Sequence, residues 1–424
     1  MLINLKKQVM NNVKISRRTF LQTTISAFLL QACASQTTLE PIQSTTQNTK
    51  PRYKMPIQST SHNSIRLFAS SGFAADSKRI ELAVQRLSQA GFAIDNIEAA
   101  YRRFQRFAGT DKERVDDLQN IVVGRATMPK ILLGLRGGYG ANRILPYVDW
   151  ESLGDMMREN GTILLGFSDV CAVQLALLAK SGMMSFSGPM LYSEFGKPQI
   201  PEYTMRSFVE AMKQDNLTIN VNQFTASQIN VEGILWGGNL SVLASLIGTP
   251  YFPDIDGGIL FLEDVGEQPY RIERMLQQLY LSGSLKKQQA IILGNFRMGK
   301  ETTDIYDANY DLPTVLSTMR RLTGLPILTD FPFGHITNKS CFPLGAMCKV
   351  KTNTDGGYSV SFANYPHLDA SKLNLDSLIP QPFWQSETPT VGDDNLPNDN
   401  QPYTPIDDEN DPLRQLFEQH LNNE

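Results

Sequence analysis

Three residue types that together can hydrolyse an acyl bond occur along this chain in the order serine, acid, histidine. Ser168 sits in Gly166-Phe167-Ser168-Asp169, after the apolar run 162–165 and before a helical stretch, 170–180. A strand, a sharp turn and a helix with serine at the bend can lift the hydroxyl clear of the backbone. The same bend leaves the next amide free to hold an oxyanion. Glu263 ends the apolar run 258–262, and His335 follows Phe333-Gly334. Serine, acid, histidine is one of the chain orders in which a hydrolytic triad assembles. Of the four histidines, His62 lies in a polar N-terminal stretch, His367 beyond the last strand-like run and His420 in an acidic tail. His335 is therefore the base available inside the globular body. Each member has a plainer reading. Serine before a helix is a preferred N-cap. The turn lacks the second glycine of a G-x-S-x-G elbow, and Asp264 and Glu267 compete with Glu263 as the acid. The ordered set of three, rather than any one motif, points to nucleophilic hydrolysis.

The elements that must position these residues alternate between strand and helix. Residues 65–69, 92–97, 130–135, 162–166 and 184–187 read as strands, and 75–90 and 112–123 as helices, with Ile80, Leu82, Ala83 and Leu87 at helical spacing. Such alternation predicts a parallel sheet covered by helices. Functional loops gather at the carboxyl ends of such strands, where Arg136 and Ser168 both fall. A second unit of α/β texture begins at 231, with strands at 233–236, 258–262, 289–293, 327–329 and 348–360 and helices at 240–247, 269–281 and 312–322. A body of this length is more than one core usually serves. The expected division is an N-terminal α/β domain over 63–190 that carries the nucleophile, a connection over 191–230, and a smaller C-terminal α/β domain over 231–370 that carries Glu263 and His335. Residues 371–424 lose apolar periodicity, gather Pro, Asn, Asp and Gln, and include an acidic cluster at 407–411, which predicts a mostly disordered tail.

The first thirty-two residues read as an export signal. Lys6, Lys7, Lys14, Arg17 and Arg18 form a basic region, and Ser16-Arg17-Arg18-Thr19-Phe20-Leu21 resembles a twin-arginine signal. The apolar stretch 23–32 is too short to span a bilayer as a helix. It ends in Leu30-Gln31-Ala32-Cys33, which resembles a bacterial lipobox with Cys33 as the lipidated residue. Residues 33–62 then form a flexible tether rich in Gln, Thr and Ser. These features place the expected protein on the periplasmic side of a bacterial membrane, held by acyl chains. The formal net charge is −4, and it is more negative once the basic signal is set aside, which argues against nucleic acid as a partner. Cys171, three residues after Ser168, reads as a small buried apolar residue. Cys341 and Cys348 are available to pair outside the cytoplasm. No Cys/His metal spacing occurs, so no metal or cofactor is expected.

A series of short motifs, in one order from about Ile65 to Val360, resembles the LD-carboxypeptidase (muramoyltetrapeptide carboxypeptidase) family of serine peptidases. They are Phe107-Ala-Gly-Thr-Asp111 with Arg114, Leu135-Arg-Gly-Gly-Tyr-Gly140 with Arg143, Gly166-Phe-Ser-Asp169, Phe186-Ser-Gly-Pro-Met190 and Leu235-Trp-Gly-Gly-Asn-Leu240. Ile247-Gly-Thr-Pro250, Leu262-Glu-Asp-Val-Gly-Glu267 with Tyr270-Arg271, and Phe333-Gly-His335 complete the series. Ala69-Ser70-Ser71-Gly72 departs from the family, which often has Pro at the second position. The resemblance implies a triad of Ser168, Glu263 and His335, a flavodoxin- or amidotransferase-like N-terminal sheet domain and a homodimer. It also implies removal of the terminal D-Ala from a peptidoglycan tetrapeptide, after meso-diaminopimelate or Lys. On this reading the amides of Asp169 and Gly138 form the oxyanion hole, and Arg136 or Arg271 holds the D-Ala carboxylate. Trp236 and Asn239 either line the cleft or, for Trp236, belong to the core, and Arg143 makes a structural ion pair. The Gly137–Gly140 loop lacks the Lys-Ser/Thr of a phosphate loop. Two other functions compete. One is a related hydrolase, similar to microcin C immunity proteins, acting on peptidyl or aminoacyl nucleotides. The other is a murein-binding lipoprotein without turnover.

Overall fold

The computed structural model describes residues 63–222, 228–299, 309–354 and 356–380. Arg17, Arg18, Cys33, His62 and His420 lie outside the described residues. The first five strands are β1 (Ser64–Phe68), β2 (Ala93–Asp95), β3 (Ile131–Gly134), β4 (Ile163–Gly166) and β5 (Ser185–Ser187). They pair in parallel in the order 2-1-3-4-5, which is the flavodoxin-like arrangement. β3 and β4 both read Ile-Leu-Leu-Gly and are buried throughout, as expected of parallel strands covered on both faces. The covering helices begin where the sequence offers caps. Asp76 accepts from the Lys78 amide at the start of Ser77–Gln89. Thr110 and Glu113 close a capping box on Asp111–Val122.

The second sheet contains β6 (Asn216–Val221), β7 (Asn230–Asn239), β8 (Gly258–Val265), β9 (Gln288–Arg297) and β10 (Ile327–Leu328). β11 (Phe342–Leu344), β12 (Ala346–Thr352) and β13 (Tyr358–Ala363) follow along the chain. The order is 10-9-8-7-12-13-6. β7 to β10 run parallel, whereas β12, β13 and β6 are antiparallel. β6 and β12 alternate exposed and buried side chains, as one-sided antiparallel strands do.

Three features differ from the expected division. β11, from the C-terminal stretch, pairs antiparallel with β5 and completes the first sheet, so the chain returns to the first sheet before β12 and β13 complete the second. The stretch 191–230, read as a connection, contains the helix Glu202–Lys213 and β6. Residues 370–380, placed partly in the tail by composition, form short 3-10 turns with Leu375 and Leu378 buried, and the Asn374 amide donates to Ala90 O at 2.9 Å.

Candidate active site

Ser168 occupies the bend between β4 and the helix Cys171–Ser181 with φ +61°. A non-glycine residue there is strained by about 1–2 kcal/mol, a cost usually seen where the geometry is used. The serine does not cap a helix: neither the short turn Ser168–Val170 nor the helix after it has a side-chain cap. Its Oγ instead lies 3.0 Å from His335 Nε2.

His335 is carried by the loop after β10. The Phe331 amide donates to Leu293 O, and Asn295 N donates to Phe333 O at 2.7 Å, which straps that loop along β9. Phe333 is buried against Phe261 and Phe342, and Phe167 packs 5.5 Å from the imidazole. His335 Nδ1 lies 2.8 Å from Glu263 Oε2. Glu263 sits where the β8–β9 register shifts between Leu262 and Asp264. A bulge of this kind re-aims side chains, here bringing two consecutive carboxylates into the interior. Glu263 is 1% exposed. Its Oε1 accepts from Asn239 Nδ2, which also reaches Asp264 Oδ1, both at 3.2 Å. Asp264 is bound instead by the Ser241 amide at 2.8 Å and by the Ser241 hydroxyl, while Glu267 pairs with Arg271 at 3.9 Å. Among the three rival acids, Glu263 is the one hydrogen-bonded to the histidine. Burial disfavours the imidazolium and is the largest single influence on His335, but the Glu263 charge and hydrogen bond outweigh it, and the pKa is raised.

The loop after β3 faces the serine. A Cβ on Gly137 would stand 2.6 Å from Ser168 Oγ and 3.4 Å from the Asp169 amide, so only glycine permits this approach. Gly138 has φ +118°. Neither the Gly138 nor the Asp169 amide donates to a protein acceptor among the described residues, which leaves both for a developing oxyanion. The carboxylate of Asp169 accepts from Ala141 N at 2.9 Å and so ties the two amides together. Arg114, fully buried, donates to Ser70 O and Gly140 O and pairs with Asp111, fixing the loop from below.

The remaining expected residues separate clearly. Arg136 is half-buried. Its Nη1 donates to Phe73 O at 3.2 Å, and no carboxylate of the described residues lies within ion-pair distance. Burial pulls its pKa down. Arg271 is exposed and engaged with Tyr270 and Glu267. Trp236 does not line the triad cleft. It is 1% exposed, donates from Nε1 to Gln288 at 2.8 Å, and borders a separate cavity of about 470 Å³ toward the amino ends of β8 and β9. Asn239 is buried and serves Glu263 and Asp264 rather than open space. Arg143 pairs with Asp111 at 2.7 Å. Cys171, Cys341 and Cys348 are buried and free, so Cys341 and Cys348 do not pair. Sequence reasoning missed the buried pair Lys339–Glu194, at 2.6 Å with each side chain 2% exposed. Lys339 lies four residues past His335, and its Nζ sits 4.6 Å from the Phe167 ring.

Two adjoining comparisons decide the family. Residues 65–188 match the LD-carboxypeptidase N-terminal domain, and residues 232–350 match the LD-carboxypeptidase C-terminal domain. This chain belongs to the LD-carboxypeptidase family. Like others named in that family, it is an enzyme, a serine-type carboxypeptidase. It is 30% identical over 280 residues to the probable murein peptide carboxypeptidase of Bacillus subtilis, covering 65% of this chain and 85% of that protein. The crystal structure of muramoyltetrapeptide carboxypeptidase from Oxalobacter formigenes superposes with a TM-score of 0.64 at 37% identity, covering 71% of this chain and all of that one. The microcin C7 self-immunity protein of Escherichia coli is 29% identical over 276 residues, covering 57% of this chain and 76% of that protein. In this LD-carboxypeptidase family member the fold brings both Ser168 and Glu263 within hydrogen-bond reach of His335.

Proposed function

We propose that this carboxypeptidase removes the C-terminal D-Ala from peptidoglycan tetrapeptide stems, cutting after meso-diaminopimelate or Lys, with Ser168 as nucleophile. The observation that carries the reading is Arg136. It is a half-buried guanidinium without a carboxylate partner among the described residues, on the residue before the glycine loop that touches the serine. An exopeptidase needs such a cation for the terminal carboxylate of its substrate, and a planar fork suits it. His335 Nε2 takes the Ser168 proton as Oγ attacks the carbonyl carbon of the third residue. Glu263 orients the ring and stabilises the imidazolium. The Asp169 and Gly138 amides receive the oxyanion. Collapse breaks the C–N bond, the D-Ala amine leaves with the proton from His335, and an acyl-enzyme remains. Water, deprotonated by His335, then releases the tripeptide and restores Ser168.

The test is D-Ala release from a muramoyl tetrapeptide, followed by mass spectrometry, beside Ser168→Ala and Arg136→Gln. Release by wild type, its loss in Ser168→Ala and a raised KM in Arg136→Gln are expected. If no D-Ala is released, while an aminoacyl nucleotide is hydrolysed, the substrate reading falls to the one suggested by the microcin self-immunity relative. Binding to sacculi without turnover would favour the lipoprotein reading.

The same proposal places the enzyme on the periplasmic side of the membrane, anchored through Cys33 after twin-arginine export. What supports this is the order of basic region, short apolar stretch and cysteine in residues 1–33. Cys33→Ser is expected to move the protein from the membrane to the soluble fraction, and an unchanged distribution would overturn the anchor. The homodimer implied by the family resemblance is checked by light scattering of the body that begins after Cys33.

A further inference from the structure

The loops around the nucleophile hold more positive charge than removal of D-Ala uses. Three arginines fall within 101–107, a segment that bridges to the loop after β1 through Gly72 and Phe107. Arg102 is engaged by Asp117 at 2.6 Å. Arg103 and Arg106 are exposed and have no carboxylate within ion-pair distance among the described residues. Each guanidinium is mounted on an aromatic ring, Arg103 at 4.3 Å from the centroid of Phe73 and Arg106 at 5.3 Å from that of Tyr139. These two rings stand beside the oxyanion loop. Phe73 follows Gly72, whose amide donates to Gly137 O at 3.2 Å, and Tyr139 follows Gly138. Phe73 also presents its carbonyl to Arg136. The chain as a whole is acidic, with a formal net charge of −4, so this basic group is a local feature. Stacking on a ring holds a guanidinium in place and leaves its planar fork pointing outward for a carboxylate.

We propose that Arg103 and Arg106, stacked on Phe73 and Tyr139, form an anion subsite for a carboxylate of the peptide on the acyl side of the scissile bond. The enzyme would thereby select stems whose side carboxylates are free rather than amidated. The inference rests on the D-Ala carboxypeptidase reading above. D-Ala brings one carboxylate, and Arg136, nearest the glycine loop, meets it. Further arginines at the same mouth then face the acidic groups of the rest of the stem.

The experiment compares kcat/KM for D-Ala release from two muramoyl tetrapeptides, one with free side carboxylates and one with those groups amidated, the terminal carboxylate being free in both. Wild type and R103Q/R106Q are compared, with thermal denaturation confirming that both are folded. Wild type is expected to prefer the free acid by about tenfold to hundredfold, as lost charge-assisted hydrogen bonds allow. R103Q/R106Q is expected to lose that preference to within about twofold, through a higher KM on the free-acid peptide. Equal cleavage of both peptides by wild type, or a preference retained in R103Q/R106Q, overturns the subsite. Absence of D-Ala release from both peptides by wild type overturns the underlying reading, and the subsite with it.

Discussion

Gly137→Ala isolates the contact between the glycine loop and the nucleophile. Gly137 is not in the left-handed region, unlike Gly138 and Gly140, so alanine is permitted by the backbone and the added methyl is the whole perturbation. That Cβ would stand 2.6 Å from Ser168 Oγ and 2.7 Å from Ser168 Cβ, where ordinary contact begins at 3.4 Å. The two must separate by about 0.8 Å on these distances. Ser168 is already strained at φ +61°, and its hydroxyl must stay 3.0 Å from His335 to be activated. A displacement near 1 Å from the reactive geometry costs about a hundredfold in rate, equivalent to about 2.7 kcal/mol of barrier. Overpacking itself costs about 1–3 kcal/mol of stability. The expected result is kcat for D-Ala release lowered about a hundredfold, KM within about twofold, and a folded protein with a lower Tm. Steady-state kinetics and thermal denaturation on the same preparation read all three. A folded variant with kcat within about threefold of wild type would refute the claim that this contact sets the nucleophile.

The pH dependence follows from His335. The base must be neutral, its pKa is raised above the ordinary value of 6.5 chiefly by Glu263 acting against burial, and so kcat/KM is expected to fall as pH drops through a pKa above 6.5. Glu263→Gln removes what raises that pKa and leaves burial, so the acid limb should move below 6.5 while kcat drops by about 10³–10⁴; a limb that stays in place would separate it from His335. Lys339→Met leaves Glu194 buried and unpaired and should cost about 3–5 kcal/mol in urea unfolding. The paired change with Glu194→Leu should recover most of that stability, and failure to recover would show that the pair does not act as a unit. Arg114→Lys keeps the charge but cannot reach Ser70 O, Gly140 O and Asp111 together; kcat should fall more than KM rises, and equal effects on both would argue that the loop binds substrate rather than the oxyanion.

Much of the first sheet was legible because its signals are local. The runs at 131–135 and 163–166 are Ile, Leu and Gly without interruption, and the helices before them carry caps, Thr110 with Glu113 and Asp149. The positions of Ser168 and Arg136 follow from the rule that loops at carboxyl strand ends carry function. What was not legible depends on partners distant in sequence. β6 has an alternating pattern, yet its strand pairing is supplied by β13, more than a hundred residues later. The helix Trp150–Asn160 packs as part of the cover, capped by Asp149, but its apolar positions are few and interrupted by charge. β11 holds a proline, Pro343, which argues against an interior strand, and it is admitted as the edge of the first sheet. Lys339 looks like any loop lysine until Glu194 is placed against it. The choice among Glu263, Asp264 and Glu267 likewise needed the register shift that turns Glu263 toward the histidine and Asp264 toward Ser241.

The site and the joint between the two sheets are built from the same residues. Ser168 and both candidate oxyanion amides belong to the first sheet, and Glu263 and His335 to loops and ends of the second. His335 lies between the strap along β9 and Lys339, whose Nζ reaches back to Glu194 in the segment after β5. Three residues after Lys339, β11 begins and pairs with β5, and Cys171, on the helix that follows the nucleophile, donates to Gly237 O of β7 at 3.5 Å. Each hydrogen bond at His335 is therefore fixed by contacts that also hold the sheets together. A triad divided between two units needs this arrangement, because the 3.0 Å and 2.8 Å hydrogen bonds at His335 tolerate little sliding of one sheet against the other. The same economy explains why an ion pair that is costly to bury stands so close to the histidine. Its partners come from the two sides of the joint, and a buried pair, unlike an apolar contact, is satisfied in one register only.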